Sequence, residues 1–535
     1  MRNAIAWSYD LLPTDQQTVF RHLSAFSGGF TETAAITVLA GDEGADQSIR
    51  PEALRGLSPF ELFDALAALV DASLLRRVED DPTSNQTELR FSMLDTIREY
   101  GTEQLAEANE EVAAREAHAR WARALAESAE PALWGPDQDQ WLNTLETEHH
   151  NLGAALKWTL EHNPTMALTL AASLWWFWQT RGYLTEGRAW LERALIAGAG
   201  GSPAQLGAAR LGAAFLSAMQ GDAEAAVAHA QAGHALAEIR NDPTFLGRAF
   251  FTLSFVAGSR GDQAEAAKHA EESLRILRAS GNHAWLPYAL NRLGVVLLEQ
   301  GDSARAGTLF QEALDRWRSP EHAWGISTAL DNLAACARAT GDSERATKLY
   351  RESLLFSLRQ GDRWGVVESL FGIAGTAAND GHLETAAKLS AAADALRVSI
   401  GLKLQHYVQS ELDKTIASIR TALGEERFNE HWQAGTALTL TQAVEAAEET
   451  ATKPVSDPRT KQTKRSGEPV DTGGLTGREF EVLRLLAEGK SSRGIGEELF
   501  ISHRTATTHV TNIFTKLDVD NRAAAVAKAF QMGLL

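Results

Sequence analysis

The sequence of 535 residues predicts a mainly α-helical protein in three parts: a winged-helix-like amino-terminal domain, a helical solenoid, and a four-helix carboxyl-terminal unit built on a helix-turn-helix. Three observations carry this expectation. Glycine recurs at a constant step of 40 residues through the middle of the chain; three apolar-periodic segments followed by two strand-like runs open it; and residues 475–535 read as four short helices. The expected divisions are 1–105 for the winged-helix-like domain, 106–165 for a helical connector, 166–440 for the solenoid, 441–474 for a flexible linker and 475–535 for the last unit.

At the amino terminus, residues 14–24, 31–40 and 59–72 have helical apolar spacing, "SLLRRVED" and "ELRFSML" read as two short strands, and a further helix is predicted from about Asp95. Three helices and a hairpin make a winged-helix pattern. The phrases "AIAWSYDLLPTDQQTVFRHLSAFSGGFT", "LVDASLLRR" and "RFSMLDTIREYG" resemble the segment that follows the ATPase core in STAND-type signalling ATPases. The resemblance implies a winged helix that packs on a nucleotide domain and relays its state rather than reading DNA. No G-x-x-x-x-G-K-[ST] phosphate loop occurs in the sequence, so no ATP hydrolysis is expected. Either the chain is naturally short, or its ATPase domain lies upstream of Met1.

In the middle, Gly221-Asp222, Gly261-Asp262, Gly301-Asp302, Gly341-Asp342 and Gly381-His382 share one 40-residue register, and alanine stands five residues after each glycine, at 226, 266, 306, 346 and 386. Half a step later come Asn241-Asp242, Gly281-Asn282, Gly361-Asp362 and Gly401. Glycine ends one helix in a left-handed conformation, and Asp or Asn starts the next by accepting its unpaired amide hydrogens. Alanine at a fixed place lets the paired backbones approach. Such pairs bury their apolar faces only by stacking. "NRLGVVLLEQGDSARAGTLFQEAL" (291–314) resembles a tetratricopeptide repeat, with HEAT-like stacking as the alternative because 40 residues exceeds that repeat's usual length. Trp285, Trp324 and Trp364 open successive units and are expected in the interhelical core, a ligand-groove wall being the other reading. His149-His150 reads as a helix surface feature, not a metal pair.

Residues 489–491, Gly-Lys-Ser, look like the end of a phosphate loop, but a helical apolar pattern precedes them where a strand is required. Thr476 caps a predicted helix to Glu488, Ser491 or Ser492 starts a second through about Phe500, Ser502 caps a third to about Leu517, and "VDNRAAAVAKAF" forms a fourth. At 100° per residue Ala506, Val510, Ile513 and Leu517 share one side of the third helix, while Arg504, Thr507, Thr508, Thr511 and Thr515 share the other. A hydroxyl stripe headed by arginine can enter a major groove at little desolvation cost. The stretch "LTGREFEVLRLLAEGKSSRGIGEELFISHRTATTHVTNIFTKLDVDNRAAAVAKA" resembles the LuxR-type DNA-binding domain throughout. The resemblance implies a turn at Gly489–Ser492, base contacts from Thr507, Thr508 and Thr511, and phosphate contacts from Arg504, His509 and Lys516. Ser502 and Asn512 complete the expected DNA-binding set. It further implies pairing of two copies on DNA through Ala523, Val526, Ala527 and Phe530. Thr507 replaces a commonly basic residue, Ala506 a valine and Gly496 an alanine, so intrinsic affinity is expected to be weaker than in typical members.

Composition bounds the function. The net charge of −19 is uneven: eight Lys/Arg against seven Asp/Glu follow Leu475, five against three occupy 450–474, and the body before them carries about −22. This permits a small DNA-binding head on an acidic body. No run approaches the roughly 18 apolar residues of a membrane helix. The lone Cys336 and the absence of a leader after Met1 make a cytoplasmic location the expectation. With no nucleophile–base cluster, metal spacing or cofactor loop, no enzymatic activity, cofactor or metal is expected. The sequence therefore predicts a transcription regulator that binds double-stranded DNA as a homodimer, its repeats receiving a small effector or protein on their concave face. A protein-interaction scaffold without sequence-specific DNA binding is the alternative.

Overall fold

The computed structural model describes residues 2–41, 51–78, 88–318, 322–404, 406–449, 475, 477–487, 490–491, 494–495, 503–517, 519 and 522–531. The chain forms two compact units, Met1–Ala451 and Thr452–Leu535.

The first unit opens with the helices Arg2–Asp10, Thr14–Leu23, Glu32–Ala40 and Pro59–Asp71 and a three-stranded antiparallel sheet. Its strands are β1 (Phe30–Thr31), β2 (Arg76–Val78) and β3 (Arg90–Ser92), with β3 central: Phe91 faces Phe30 on one side and Arg77 on the other. The polar turn between β2 and β3 lies outside the described residues. Thr31 caps the helix that follows it through the Ala34 amide, and Ser58 with Glu61 forms a reciprocal capping box. Helix Arg2–Asp10 and strand β1 are additions to the expected pattern. The helix buries only Ile5 and Tyr9, and the strand has two residues, so neither generates a readable period.

Helices Glu111–Ala132, Gln138–Thr147 and His149–His162 lead into the repeats. Five helix pairs then follow the predicted clock: Pro203–Met219 with Ala223–Arg240, Pro243–Ser259 with Gln263–Ala279, Leu286–Glu299 with Ser303–Arg318, Ala323–Ala339 with Ser343–Gln360, and Arg363–Asn379 with Leu383–Ser399. Gly221, Gly261, Gly301, Gly341 and Gly381 all have φ between 75° and 87°, a conformation that would strain any other residue. The side chains of Asp222, Asp262, Asp302 and Asp342 accept from the amide three residues on. Alanines 226, 266, 306, 346 and 386 are 0% exposed. Asn241 takes the left-handed half-step position with φ 53°, which asparagine tolerates better than other non-glycine residues.

The first helices of these pairs pack side by side and line the inside of the superhelix. That inside is filled. Trp134 lies 4.3 Å, ring to ring, from both Trp176 and Trp285, and Trp176 lies 4.7 Å from Trp324. Phe215 stacks on Phe255 at 4.1 Å, with Trp364 6.3 Å beyond. The Trp324 amide donates to Gln138 Oε1, 186 residues away, and the Lys403 amide donates to the Met219 carbonyl at 2.7 Å. Trp285 and Trp324 are buried and Trp364 half-buried, as core expects, but they pack across the superhelix and not only between sequential neighbours. Aromatic rings from several helices thus pack together on the inner side of the superhelix. His149 bonds Glu186 and packs edge-on against Phe177. Among the described residues no cluster of three or more His, Cys, Asp or Glu is arranged to hold a metal.

Residues 441–449, expected as the start of a flexible linker, are helical instead. Leu440–Glu449 is a helix whose Ala443 and Ala447, one turn apart, pack into the repeat core. Residues 450–474 lie outside the described residues. No helix of the described residues is long and apolar enough to cross a membrane.

Candidate nucleic-acid interface

The second unit contains the helices Gly477–Ala487, His503–Lys516 and Arg522–Gln531. Their shared core holds Val482, Leu483 and Leu486 from the first, Ala506 and Ile513 from the second, and Ala525 and Ala529 from the third, with Ile495 and Leu517 between. The Lys490 amide bonds the Leu485 carbonyl, closing the first helix. The Ser491 hydroxyl accepts from the Gly494 amide, and the Ser491 carbonyl accepts from the Ile495 amide, starting the next turn of helix at 494–495. Lys490-Ser491 is therefore a helix-to-helix junction with Ser491 as its cap. Gly489, Ser492 and most of the expected second helix through Phe500 lie outside the described residues.

The His503–Lys516 helix is two-sided. Ala506 and Ile513 are 0% exposed and Val510 is half-buried, whereas Thr507, Thr508, Thr511, Asn512 and Thr515 are exposed. Its inner side thus holds it rigidly on the other helices, and its outer side offers hydroxyls and one amide. The Thr511 hydroxyl donates to the Thr507 carbonyl and the Thr515 hydroxyl to the Thr511 carbonyl, each at 3.0 Å. His509 is half-buried. Lys516, expected at phosphate, places its ammonium 2.7 Å from Oε2 of the buried Glu479, which ties the outer helix to the first one. Two of its three N–H donors remain beyond that bond. Ser502 lies outside the described residues, and Arg504 is described only as a position in the helix.

Of the expected pairing residues, Val526 is half-buried and packs against the unit's own core; Ala523, Ala527 and Phe530 are described only as positions in the Arg522–Gln531 helix. Sequence reasoning passed over two supports. Glu479 anchors Lys516, and the Arg522 guanidinium donates to the Leu486 carbonyl at 2.6 Å, a cation at a helix carboxyl end. The partners stand 37 and 36 residues apart, too far for a local pattern to pair them.

Residues 474–529 match the family model described as bacterial regulatory proteins, luxR family, and residues 285–356 match that of the tetratricopeptide repeat. A Mycobacterium tuberculosis protein named as an HTH-type transcriptional regulator is 36% identical over 197 residues, which cover 36% of this chain and 20% of that protein. The transcriptional regulatory protein LiaR of Bacillus subtilis is 52% identical over 61 residues, covering 11% of this chain and 29% of its own. The crystal structure of a STAND protein with a tetratricopeptide repeat sensor from Pyrococcus horikoshii aligns at 14% identity and a TM-score of 0.38, over 83% of this chain and 66% of that one. The chain spans about a fifth of the length of the first curated relatives it matches. It carries a LuxR-type helix-turn-helix domain and a tetratricopeptide-like repeat region.

Proposed function

We propose that the protein is a DNA-binding transcription regulator whose helical-repeat body controls a LuxR-type head. The observation that carries this reading is the exposed stripe of Thr507, Thr508, Thr511 and Thr515 on a helix whose opposite side is locked into its own core. Exposed hydroxyls and methyls can read base edges, Asn512 adds an amide beside Thr511, and Arg504, His509 and Lys516 supply cations for phosphate; Ser502, which lies outside the described residues, is proposed to complete the set. At 100° per residue, positions 523, 527 and 530 lie across their helix from the buried Ala525 and Ala529. That placement supports a two-fold contact between copies on adjacent half-sites. In this reading the repeats receive an effector or a protein partner in the cytoplasm.

Selection of duplexes from random DNA with the full chain tests the proposal. Enrichment of a two-fold-symmetric motif is expected, and recovery of no motif at low salt defeats it. The acidic body favours a second reading, an interaction scaffold without sequence-specific DNA binding, and that negative result is what it requires.

A further inference from the structure

The inner helices Ala323–Ala339 and Arg363–Asn379, with the helix His406–Leu423 laid against them, line a half-open cavity of about 110 Å³. Its lining is chemically divided. On one side stand the carboxyls of Asp331 and Glu368. Asp331 is 6% exposed and accepts only hydroxyl hydrogen bonds, from Ser369 at 2.9 and 3.1 Å; among the described residues no cation lies within ion-pair distance of either carboxyl. Desolvation pushes Glu368 up to about 7 and Asp331 well above the carboxylate range, as happens when a buried carboxyl has no cation to stabilise its charge.

Two turns along the same helix face from Asp331 stands Arg338. Its guanidinium pairs with Glu411 at 3.9 Å and bonds the Tyr350 hydroxyl, while its Nε is shut off from solvent with no acceptor among the described residues. Phe371 and Leu412 supply apolar wall between the two polar ends, and glycine at 372 leaves room for the Tyr350 ring, which a Cβ would strike. One cavity is therefore lined by two carboxyls without a cation, a guanidinium and a small apolar strip.

We propose that this cavity binds a small zwitterion, an α-amino acid no larger than valine, with its ammonium at Asp331 and Glu368 and its carboxylate at Arg338. Size and span agree. At roughly 30 Å³ per water the space holds about four waters, and covalently bonded atoms pack more closely, so about six to eight heavy atoms fit. Seven residues of helix separate the polar ends by roughly 10 Å of axis, which an amino acid bridges with a hydrogen bond at each end. This deepens the sensing half of the function proposed above and rests on it only for its biological purpose.

Calorimetric titration of the full chain with L-alanine, L-serine and L-valine tests it without DNA. At least one is expected to bind at one per chain, with isobutylamine and isovalerate, which each lack one charged end of valine, at least tenfold weaker. Asp331→Asn and Arg338→Lys are each expected to lose at least tenfold. Leu412→Trp, which fills the cavity from its apolar side, abolishes binding while circular dichroism stays unchanged. No heat and no rise in melting temperature with any of the three at millimolar concentration overturns the proposal. So does binding that survives Leu412→Trp, or isobutylamine binding as tightly as valine. None of these outcomes bears on the DNA selection, so the two readings fail separately.

Discussion

A threonine whose hydroxyl proton is committed to the carbonyl four residues back, as that of Thr511 is, shows an incoming base an acceptor oxygen and a methyl group. The acceptor suits the amino group of adenine or cytosine, and the methyl suits thymine. Thr511→Val keeps the shape and methyl but removes the acceptor. It is expected to shift preference toward thymine at one base pair of each half-site while leaving nonspecific affinity in place, and an identical selected motif would refute this. Arg504→Ala is the contrasting case, because a phosphate contact carries no sequence information. It should weaken all duplexes alike and make the salt dependence of binding shallower by about one ion. Titrations at several salt concentrations read this directly; an unchanged slope removes Arg504 from the phosphate set.

At the scale of elements, the helix pairs owe their close approach to one small residue each. Ala346 is 0% exposed against the facing helix, so Ala346→Leu forces extra methylenes into packed space, with an expected loss of about 1–3 kcal/mol in urea unfolding. A loss below about 0.5 kcal/mol would show that the pair has slack. These elements were legible because their signals are local: a left-handed glycine, an aspartate cap three residues before the amide it serves, an alanine at fixed distance. The hydroxyl face of the His503–Lys516 helix was legible for the same reason, since phase along one helix needs no partner. What sequence could not show is non-local. Nothing near Trp324 indicates that it meets Trp176 across the superhelix, and the alanine spacing of 443 and 447 looks like linker composition until a surface is there to bury it. The carboxyls of Asp331 and Glu368 likewise sit on separate helices, and only stacking turns them toward one cavity.

Over the whole molecule, burial has trapped ionisable groups of opposite sign, and their effects on stability oppose each other. His118 and His322 are held neutral, lowered to about 4 mainly by desolvation; His322 Nδ1 accepts from the Gly325 amide and its Nε2 bonds the Tyr288 hydroxyl. Between pH 6.5 and 4 the unfolded chain binds protons these rings refuse, so their contribution falls as pH falls. Asp362 runs the other way. Desolvation raises it to about 7, against the pull of the Gly365 and Trp364 amides and of Arg181. Its folded form keeps a proton that the unfolded chain has already released, so the stability it contributes is full below about pH 4 and is lost as pH rises toward 7. Asp362→Asn removes the titration and can retain the cap, since asparagine caps helices as well as aspartate. Relative to the parent, this variant should therefore gain stability steadily from pH 4 to 7 and hold the gain at pH 8. With about 1.4 kcal/mol per pKa unit, the gain amounts to a few kcal/mol at most. His322→Asn should show the opposite trend, gaining on the parent as pH falls from 6.5 toward 4. Urea unfolding of both variants at pH 5 and pH 8 decides the matter: if each differs from the parent by the same amount at the two values, the buried groups do not titrate as their surroundings require.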